Sequence, residues 1–456
     1  MKILAVIPAR GGSKRIKLKN IRDICGKPLI YYQIKNALES NLVSDVVLAS
    51  DSDDILKVGK DLFGDKIKYI KRPDDIATAY SKTEETLLHV LECLSTKYEM
   101  VVTLEPTNPL NTPKHIDKCI MKLQSTNLDA VCCAVQDYSF QLNSIEDYLH
   151  VIARPMYEDI SPHIKEVGNC WVTFVDALRF TGNRLGENFL KVVIPERDAY
   201  HIDTEDDWVV VEALMKQRLM KKAVYYQSRD IPNNGSYTNY WEDVVDPDGK
   251  VRDKSKEKEK RIDECAEEIN YINSLQPGKI LDVGCGLGFF LSAIDERWNK
   301  YGVDISEYAQ EHAKQYGKVL AGTLQGAKYE SDSFDVVVLY HVIEHVKDPI
   351  DLFLEIRRVL KPNGMLILGT PDFQCETAKR FGDNFRLLKD KTHVSLFGAF
   401  DLFRLLTDLM FEIENVTQPF YNTEHFTIKN FRRLHDTSKI SPPALGNVTT
   451  FYARKK

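Results

Sequence analysis

Short apolar runs rich in β-branched residues alternate with amphipathic stretches over the first 220 residues. Ile3–Pro8, Asp45–Ala49, Ile67–Ile70, Met100–Leu104 and Ala130–Ala134 have the pattern of buried strands. The stretches between them, 28–40, 53–63, 82–95 and 113–125, have helical periodicity, with Pro28 and Pro113 where a first helical turn tolerates proline. A second series follows. Strands are predicted over 279–283, 301–304, 334–339 and 365–369, and helices near 288–296, 306–316 and 349–360. Strand–helix alternation of this kind means a mostly parallel sheet with helices on both faces. The predicted fold class is therefore α/β, two Rossmann-like three-layer α/β/α domains in tandem. Residues 1–225 form the first domain, 226–250 a linker carrying Asn233, Asn234, Gly235 and Ser236, and 251–456 the second domain. The run 250–261, charged in both signs, reads as the solvated face of a helix leading to Ile272. The stretch 400–411 has helical periodicity and is predicted to pack core.

Composition narrows the class. At 456 residues the chain exceeds one ordinary core, and its 43% apolar and 28% charged residues are those of a globular protein. A net charge of −6 argues against a general nucleic-acid or membrane-surface binder. The nine cysteines include no C-x-x-C pair and read as reduced thiols. No apolar stretch approaches the ~20 residues of a membrane span. The expectation is a soluble cytoplasmic protein acting on small molecules, with neither nucleic acid nor membrane as partner.

The first strand runs into Pro8-Ala9-Arg10-Gly11-Gly12-Ser13-Lys14-Arg15 and on to Lys19-Asn20. From Arg10 to Lys27 there are seven basic residues and one acid, Asp23. Glycines let backbone approach a ligand, consecutive amides form anion-binding concavities, and a triphosphate needs several cationic donors. The spacing G-x-x-x-x-G-K-[ST] is absent, which excludes a Walker-type NTPase. On composition alone a solvated basic loop remains a contender.

The order of residues goes further. The opening motif, with Lys19-Asn20 and Gly26-Lys27-Pro28-Leu29-Ile30, resembles the acylneuraminate cytidylyltransferase family, whose members make CMP-sialic acid and related CMP-sugars. The resemblance covers roughly the first 215 residues. It implies that Arg10, Gly12, Ser13, Lys14, Lys19 and Asn20 hold CTP, with Arg10, Lys14 and Lys19 neutralising phosphates. Arg72-Pro73, Thr83 and Glu105-Pro106-Thr107-Asn108-Pro109-Leu110 fall on further motifs and extend the nucleotide site to Arg72, Thr83 and Glu105. The family's D-I-D, which holds Mg²⁺, is His201-Ile202-Asp203 here, leaving Asp203 as the metal residue. Either one carboxylate suffices, or His201 serves another end; imidazole suits Mg²⁺ poorly. Glu105 stands for a glutamine and Asn111 for an arginine, which points to an acceptor other than ordinary sialic acid. The family further implies a homodimer through the first domain.

The second loop, Ile280-Leu281-Asp282-Val283-Gly284-Cys285-Gly286-Leu287-Gly288, follows an apolar strand and opens a helix. Asp304 ends the next strand sixteen residues after Gly288, where an acid accepts hydrogen bonds from ribose hydroxyls. With Ser333–Val338 and Leu360-Lys361-Pro362-Asn363-Gly364, these residues resemble the class I S-adenosylmethionine-dependent methyltransferases, from about Tyr271 onward. The resemblance implies that Asp282, Gly284 and Gly286 form the methionine-side loop, Asp304 binds the ribose, and Thr323 and Leu324 contact adenine. NAD is the disfavoured alternative.

His341-Val342-Ile343-Glu344-His345 fits the zinc-protease pattern H-x-x-E-H, which requires a helix. Here it follows a strand, and zinc is disfavoured. His341 is expected to line the methyl-transfer site. His393 reads as either a general base or a capping or packing residue, and an O-methyltransferase with His341 or His393 as base is the expectation. The resulting picture is a bifunctional enzyme. It transfers a cytidylyl group from CTP to a sugar acid or related anionic glycan precursor, releasing pyrophosphate, and methylates in surface-glycan biosynthesis. The alternative is a methyltransferase whose first domain binds CTP and sustains a dimer with weak catalysis or none.

Overall fold

The computed structural model describes residues 1–456 except 14, 79, 140–161, 223–226, 229–240, 242–243, 247–248, 250, 391, 419–426 and 444–446. Lys14, Asn233–Ser236, Tyr237 and Tyr240 therefore lie outside the described residues. The chain divides into two compact units, Met1–Met215 and Lys216–Lys456.

The first unit is built on a seven-stranded sheet. Its order is Lys68–Lys71, Asp45–Ser50, Ile3–Pro8, Met100–Thr103, His163–Phe174, Ala130–Asp137, Phe189–Val193. The first four strands are parallel, and His163–Phe174 runs antiparallel to both its neighbours. Ile3 to Ile7 are at most 2% exposed, as a central strand covered on both faces requires. The chain passes from Ile3–Pro8 to one side twice, then crosses to Met100–Thr103 on the other. The end of Ile3–Pro8 is thus a topological switch point, where open α/β sheets leave a ligand crevice.

The second unit has its own seven-stranded sheet, ordered Lys318–Ala321, Asn299–Asp304, Lys279–Val283, Phe334–Tyr340, Leu360–Pro371, Val448–Lys455, Phe411–Thr417. Five strands are parallel, and Val448–Lys455 is antiparallel to both its neighbours. The order again reverses at one central strand, Lys279–Val283.

Several expectations need correction. Pro28 is not in a helix. Asp23–Ile24 and Lys27–Pro28 form a hairpin whose turn residues, Cys25 and Gly26, have φ of 49° and 81°, and the helix starts at Ile30. The charged run before Ile272 is only partly helical, with helices at Lys258–Glu264 and Ala266–Ser274 preceded by the strand Val251–Arg252. Its charges are not all solvated: the Arg261 guanidinium lies 4.8 Å over the Tyr340 ring. Within 226–250, Gln227–Ser228 pairs with Ser395–Leu396 and Val244–Val245 with Val251–Arg252. The helix expected over 400–411 is Ala399–Asp408; Phe411 begins a strand, and Phe400 is exposed.

Candidate active sites

In the first unit the basic loop leaves the switch point and is pinned at both ends. The Ala9 amide donates to Ala49 O at 2.9 Å, and the Gly11 amide to Asp51 Oδ1 at 3.0 Å. The buried Asn20 donates from Nδ2 to the Arg10 carbonyl at 2.9 Å, folding the loop back on itself. Arg10 and Gly12 are exposed and Ser13 half-buried. A Cβ on Gly12 would meet no atom within 4 Å, so the turn has open space there.

Lys19 and Asp203 converge across this loop. Lys19 Nζ donates to the Ile202 carbonyl at 2.9 Å and reaches Asp203 Oδ1 at 3.4 Å. Burial pulls the Lys19 pKa down, against the pull of Asp203. Asp203 Oδ2 lies 3.0 Å from His201 Nε2 and 3.8 Å from Arg15 Nη1. His201 is anchored from its other side, Nδ1 standing 3.1 Å from Asn108 Oδ1. Asp203 is thus a half-exposed carboxylate flanked by Lys19, Arg15 and His201, with oxygens of the kind that Mg²⁺ takes through one or two carboxylates.

Arg72 is brought to the same place. Its amide donates to Ser50 O at 2.8 Å, and its charge is felt by Asp51, Arg10 and Glu85. The guanidinium is buried, burial lowers its pKa, and its Nε has no hydrogen-bond partner. The same guanidinium donates from Nη2 to the Ile76 carbonyl, which holds its charge in place. Thr83 opens the helix Thr83–Cys93, two residues before Glu85.

In the second unit Gly284, Gly286 and Gly288 have φ of 71°, 51° and 78°, a path that disfavours any side chain. A Cβ at Gly284 would stand 2.3 Å from Val342 Cγ2, and one at Gly286 2.7 Å from the Trp241 ring. Asp304 holds the loop by accepting from the Gly286 amide at 2.9 Å and from the Ser306 amide at 2.9 Å. Burial raises its pKa. Asp282 is more strongly affected: burial pushes its carboxyl up to about 8, with Arg261 opposing and Asp304 reinforcing. Gly322 follows the strand Lys318–Ala321 and donates to Asp304 O at 2.7 Å, which sets the exposed Thr323 and the buried Leu324 beside Asp304.

His341 lies just past the strand Phe334–Tyr340 with φ of 56°, a left-handed conformation rare outside glycine. Its Nδ1 is 3.0 Å from Glu344 Oε1. Glu344 is fully buried; burial opposes its charge, but His341, His345 and His393 outweigh it and hold the carboxyl down to about 2. His393 is buried too, which lowers its pKa, and its Nδ1 lies 2.7 Å from the Leu387 carbonyl. The segment of His341 to His345 is a short 3₁₀ turn, Ile343–His345, not the helix a zinc protease needs.

Residues 4–156 match the family model described as cytidylyltransferase, and residues 258–416 the one described as methyltransferase domain. The chain joins a cytidylyltransferase domain to a methyltransferase domain. Over 229 residues it is 28% identical to the CMP-N,N'-diacetyllegionaminic acid synthase of Legionella pneumophila, covering 47% of this chain and 97% of that protein. Over 113 residues it is 42% identical to the pseudaminic acid cytidylyltransferase of Campylobacter jejuni, covering 24% of this chain and 48% of that protein. The chain thus spans nearly the full length of the first relative and about half of the second. A solved SAM-dependent methyltransferase from Archaeoglobus fulgidus is similar at 19% identity and TM-score 0.33, over 43% of this chain and 94% of that one.

The cytidylyltransferase domain contains a polar network that sequence reasoning missed. Asn111 donates from Nδ2 to Gln33 Oε1 at 3.2 Å and to Asn169 O at 3.0 Å, and its Oδ1 faces His115 Nδ1 at 3.2 Å. Asn169 donates to Asp198 O at 2.7 Å. Asn111 is therefore a buried tie between elements. An arginine does reach this region from elsewhere in the chain. Arg184 lies 3.3 Å from Glu105 Oε1 and stacks 4.0 Å over the Trp171 ring. Nothing in the local sequence around Arg184 announces that contact. In the methyltransferase domain the missed residue is Glu344, whose signal was present in H-x-x-E-H but belonged to a different partnership.

Proposed function

We propose that the cytidylyltransferase domain transfers CMP from CTP to a sialic-type sugar acid or related anionic glycan precursor. The observation that carries this is the cationic loop at the switch point, where Lys19 and Arg15 meet the carboxylate of Asp203 and Arg10 lies within electrostatic reach of the buried Arg72 guanidinium. In the reaction an acceptor oxygen bonds to the α-phosphorus, the α–β phosphate bond breaks, and pyrophosphate leaves. Arg10, Lys14 and Lys19 neutralise phosphate charge, and Gly12, Ser13 and Asn20 shape the loop around it. Asp203 would hold Mg²⁺, which supplies further charge neutralisation. Arg72, Thr83 and Glu105 border the nucleotide. The names of the curated relatives support acceptors of this class. Purified chain with CTP, Mg²⁺ and a panel of sugar acids is expected to release pyrophosphate. Release absent for every acid, with CTP still bound, establishes the second reading, a weakly catalytic CTP-binding domain, which His201 in place of a carboxylate favours.

The methyltransferase domain methylates a hydroxyl of a molecule in the same glycan pathway. S-adenosylmethionine supplies the sulfonium methyl. Asp282, Gly284 and Gly286 cradle its methionine end, Asp304 its ribose, and Thr323 and Leu324 its base. His341 accepts the proton of the attacking hydroxyl at Nε2, because Glu344 fixes the proton of the free imidazole on Nδ1. His341→Ala is expected to lower kcat about 10²- to 10⁴-fold with S-adenosylmethionine affinity unchanged; full activity would overturn the base assignment. A cytoplasmic location is part of this reading and rests on the cysteines, none of which is joined in a disulfide; no described helix is long and apolar enough to cross a membrane. The expected homodimer through the first domain is checked by light scattering.

A further inference from the structure

We propose that the methyltransferase domain holds a divalent transition-metal ion between Glu344, His345 and His393, beside its glycine loop. One donor atom from each of these residues lies within 4.8 Å of the others. They come from two segments far apart in sequence, and the fold locks the segments together: the Val394 amide donates to the Glu344 carbonyl at 2.7 Å.

The tautomers are fixed in the same sense. His345 Nδ1 lies 3.1 Å from the Thr392 carbonyl and His393 Nδ1 2.7 Å from the Leu387 carbonyl. A carbonyl can only accept, so each Nδ1 carries a proton and each Nε2 keeps its lone pair. Metal-ligating histidines are held in just this manner, the second nitrogen donating to backbone or carboxylate. The two rings lie 4.9 Å apart between centroids. Glu344 is oriented as well, with His341 Nδ1 at 3.0 Å from Oε1 and Thr370 Oγ1 donating to Oε2 at 3.0 Å. A carboxylate so bonded retains lone pairs for an ion. Asp390 Oδ2, 3.7 Å from His393 Nε2, offers a further oxygen at the rim.

Two imidazoles and one carboxylate favour Zn²⁺, Fe²⁺ or Co²⁺ over Mg²⁺. Three protein ligands leave coordination positions open, as in catalytic zinc sites. Val342, next to His341, abuts Gly284, so the site adjoins the proposed methionine loop. The role of the ion rests on the proposed methyl transfer: it would orient and acidify an acceptor hydroxyl. His341 is no ligand in this arrangement; it is the outer partner of Glu344.

The test is a Co²⁺ titration of the tag-free, EDTA-treated full chain, read by visible d–d absorption. Expected is a band saturating at one Co²⁺ per chain, displaced by Zn²⁺ but not by Mg²⁺. His345→Ala and His393→Gln should each weaken Co²⁺ binding at least tenfold, while Asp203→Asn keeps the band. Absence of a band in the wild-type chain overturns the site whether or not the variants fold. So does a band unchanged in both histidine variants, or one lost in Asp203→Asn. Calorimetric S-adenosylmethionine binding, run separately, distinguishes failure of the methyl-transfer reading from failure of the metal site.

Discussion

Replacing Gly12 by alanine inserts a methyl group into the turn proposed to face the triphosphate. In the free protein that methyl meets no atom within 4 Å, and the backbone there is not left-handed. The substitution removes freedom mainly from the unfolded chain, so stability should stay level or rise by up to about 1 kcal/mol. With CTP bound, the methyl would crowd the phosphate oxygens. Overpacking of this kind costs about 1–3 kcal/mol. At 1.4 kcal/mol per tenfold, the Kd for CTP should rise roughly 5- to 150-fold. Titration calorimetry gives the Kd and scanning calorimetry the Tm. Gly11→Ala is the contrasting case, because its Cβ would stand 2.9 Å from Ser52 Cβ and the fold itself must give. A Gly12→Ala protein with wild-type Tm and wild-type CTP affinity would remove this turn from the triphosphate site.

Gly284→Ala should cost about 2–5 kcal/mol by scanning calorimetry, combining left-handed strain of roughly 1–2 kcal/mol with a clash against Val342 of about 1–3 kcal/mol. Glu344 is a carboxyl whose pKa is lowered on folding to about 2, so its stabilisation is present above the ordinary carboxylate range and lost as pH falls through 2. Urea unfolding between pH 5 and pH 2 should therefore show a slope that Glu344→Gln reduces. Asp282 has the opposite sign: raised to about 8, it stabilises fully below the ordinary carboxylate range, and that contribution is lost as pH rises through 8. Between pH 5 and 9 wild-type stability should decline, and Asp282→Asn should flatten the decline; an identical profile in both proteins would contradict the burial argument.

The elements read most accurately from sequence are those whose hydrophobic pattern is unbroken, whether a buried strand or an amphipathic helix. Ile3–Pro8, Asp53–Phe63 and Lys279–Val283 have the same ends in pattern and in structure. The start of His163–Phe174 escaped because its first third, His-Ile-Lys-Glu, is exposed at the end of a long strand and shows no apolar alternation. Pro28 misled because the Cys25–Gly26 turn makes a local hairpin that overrides the helical pattern after it. The left-handed glycine turn of the second loop was legible because backbone geometry there dictates residue type. The roles of Arg184, Asn111 and Glu344 were not, since each depends on a partner brought close only by the tertiary fold.

The antiparallel strand Val448–Lys455 sits between Leu360–Pro371 and Phe411–Thr417, both made before it. During synthesis, the chain through residue 447 therefore carries two strands that lack their common neighbour. Their open edges are templates for pairing with other nascent chains, and closing the sheet spans a long stretch of sequence, which slows it. The methyltransferase domain is thus most exposed to misassembly in the interval before its last strand emerges. The first sheet has a shorter version of the same wait, because His163–Phe174 enters between Met100–Thr103 and Ala130–Asp137, both made before it.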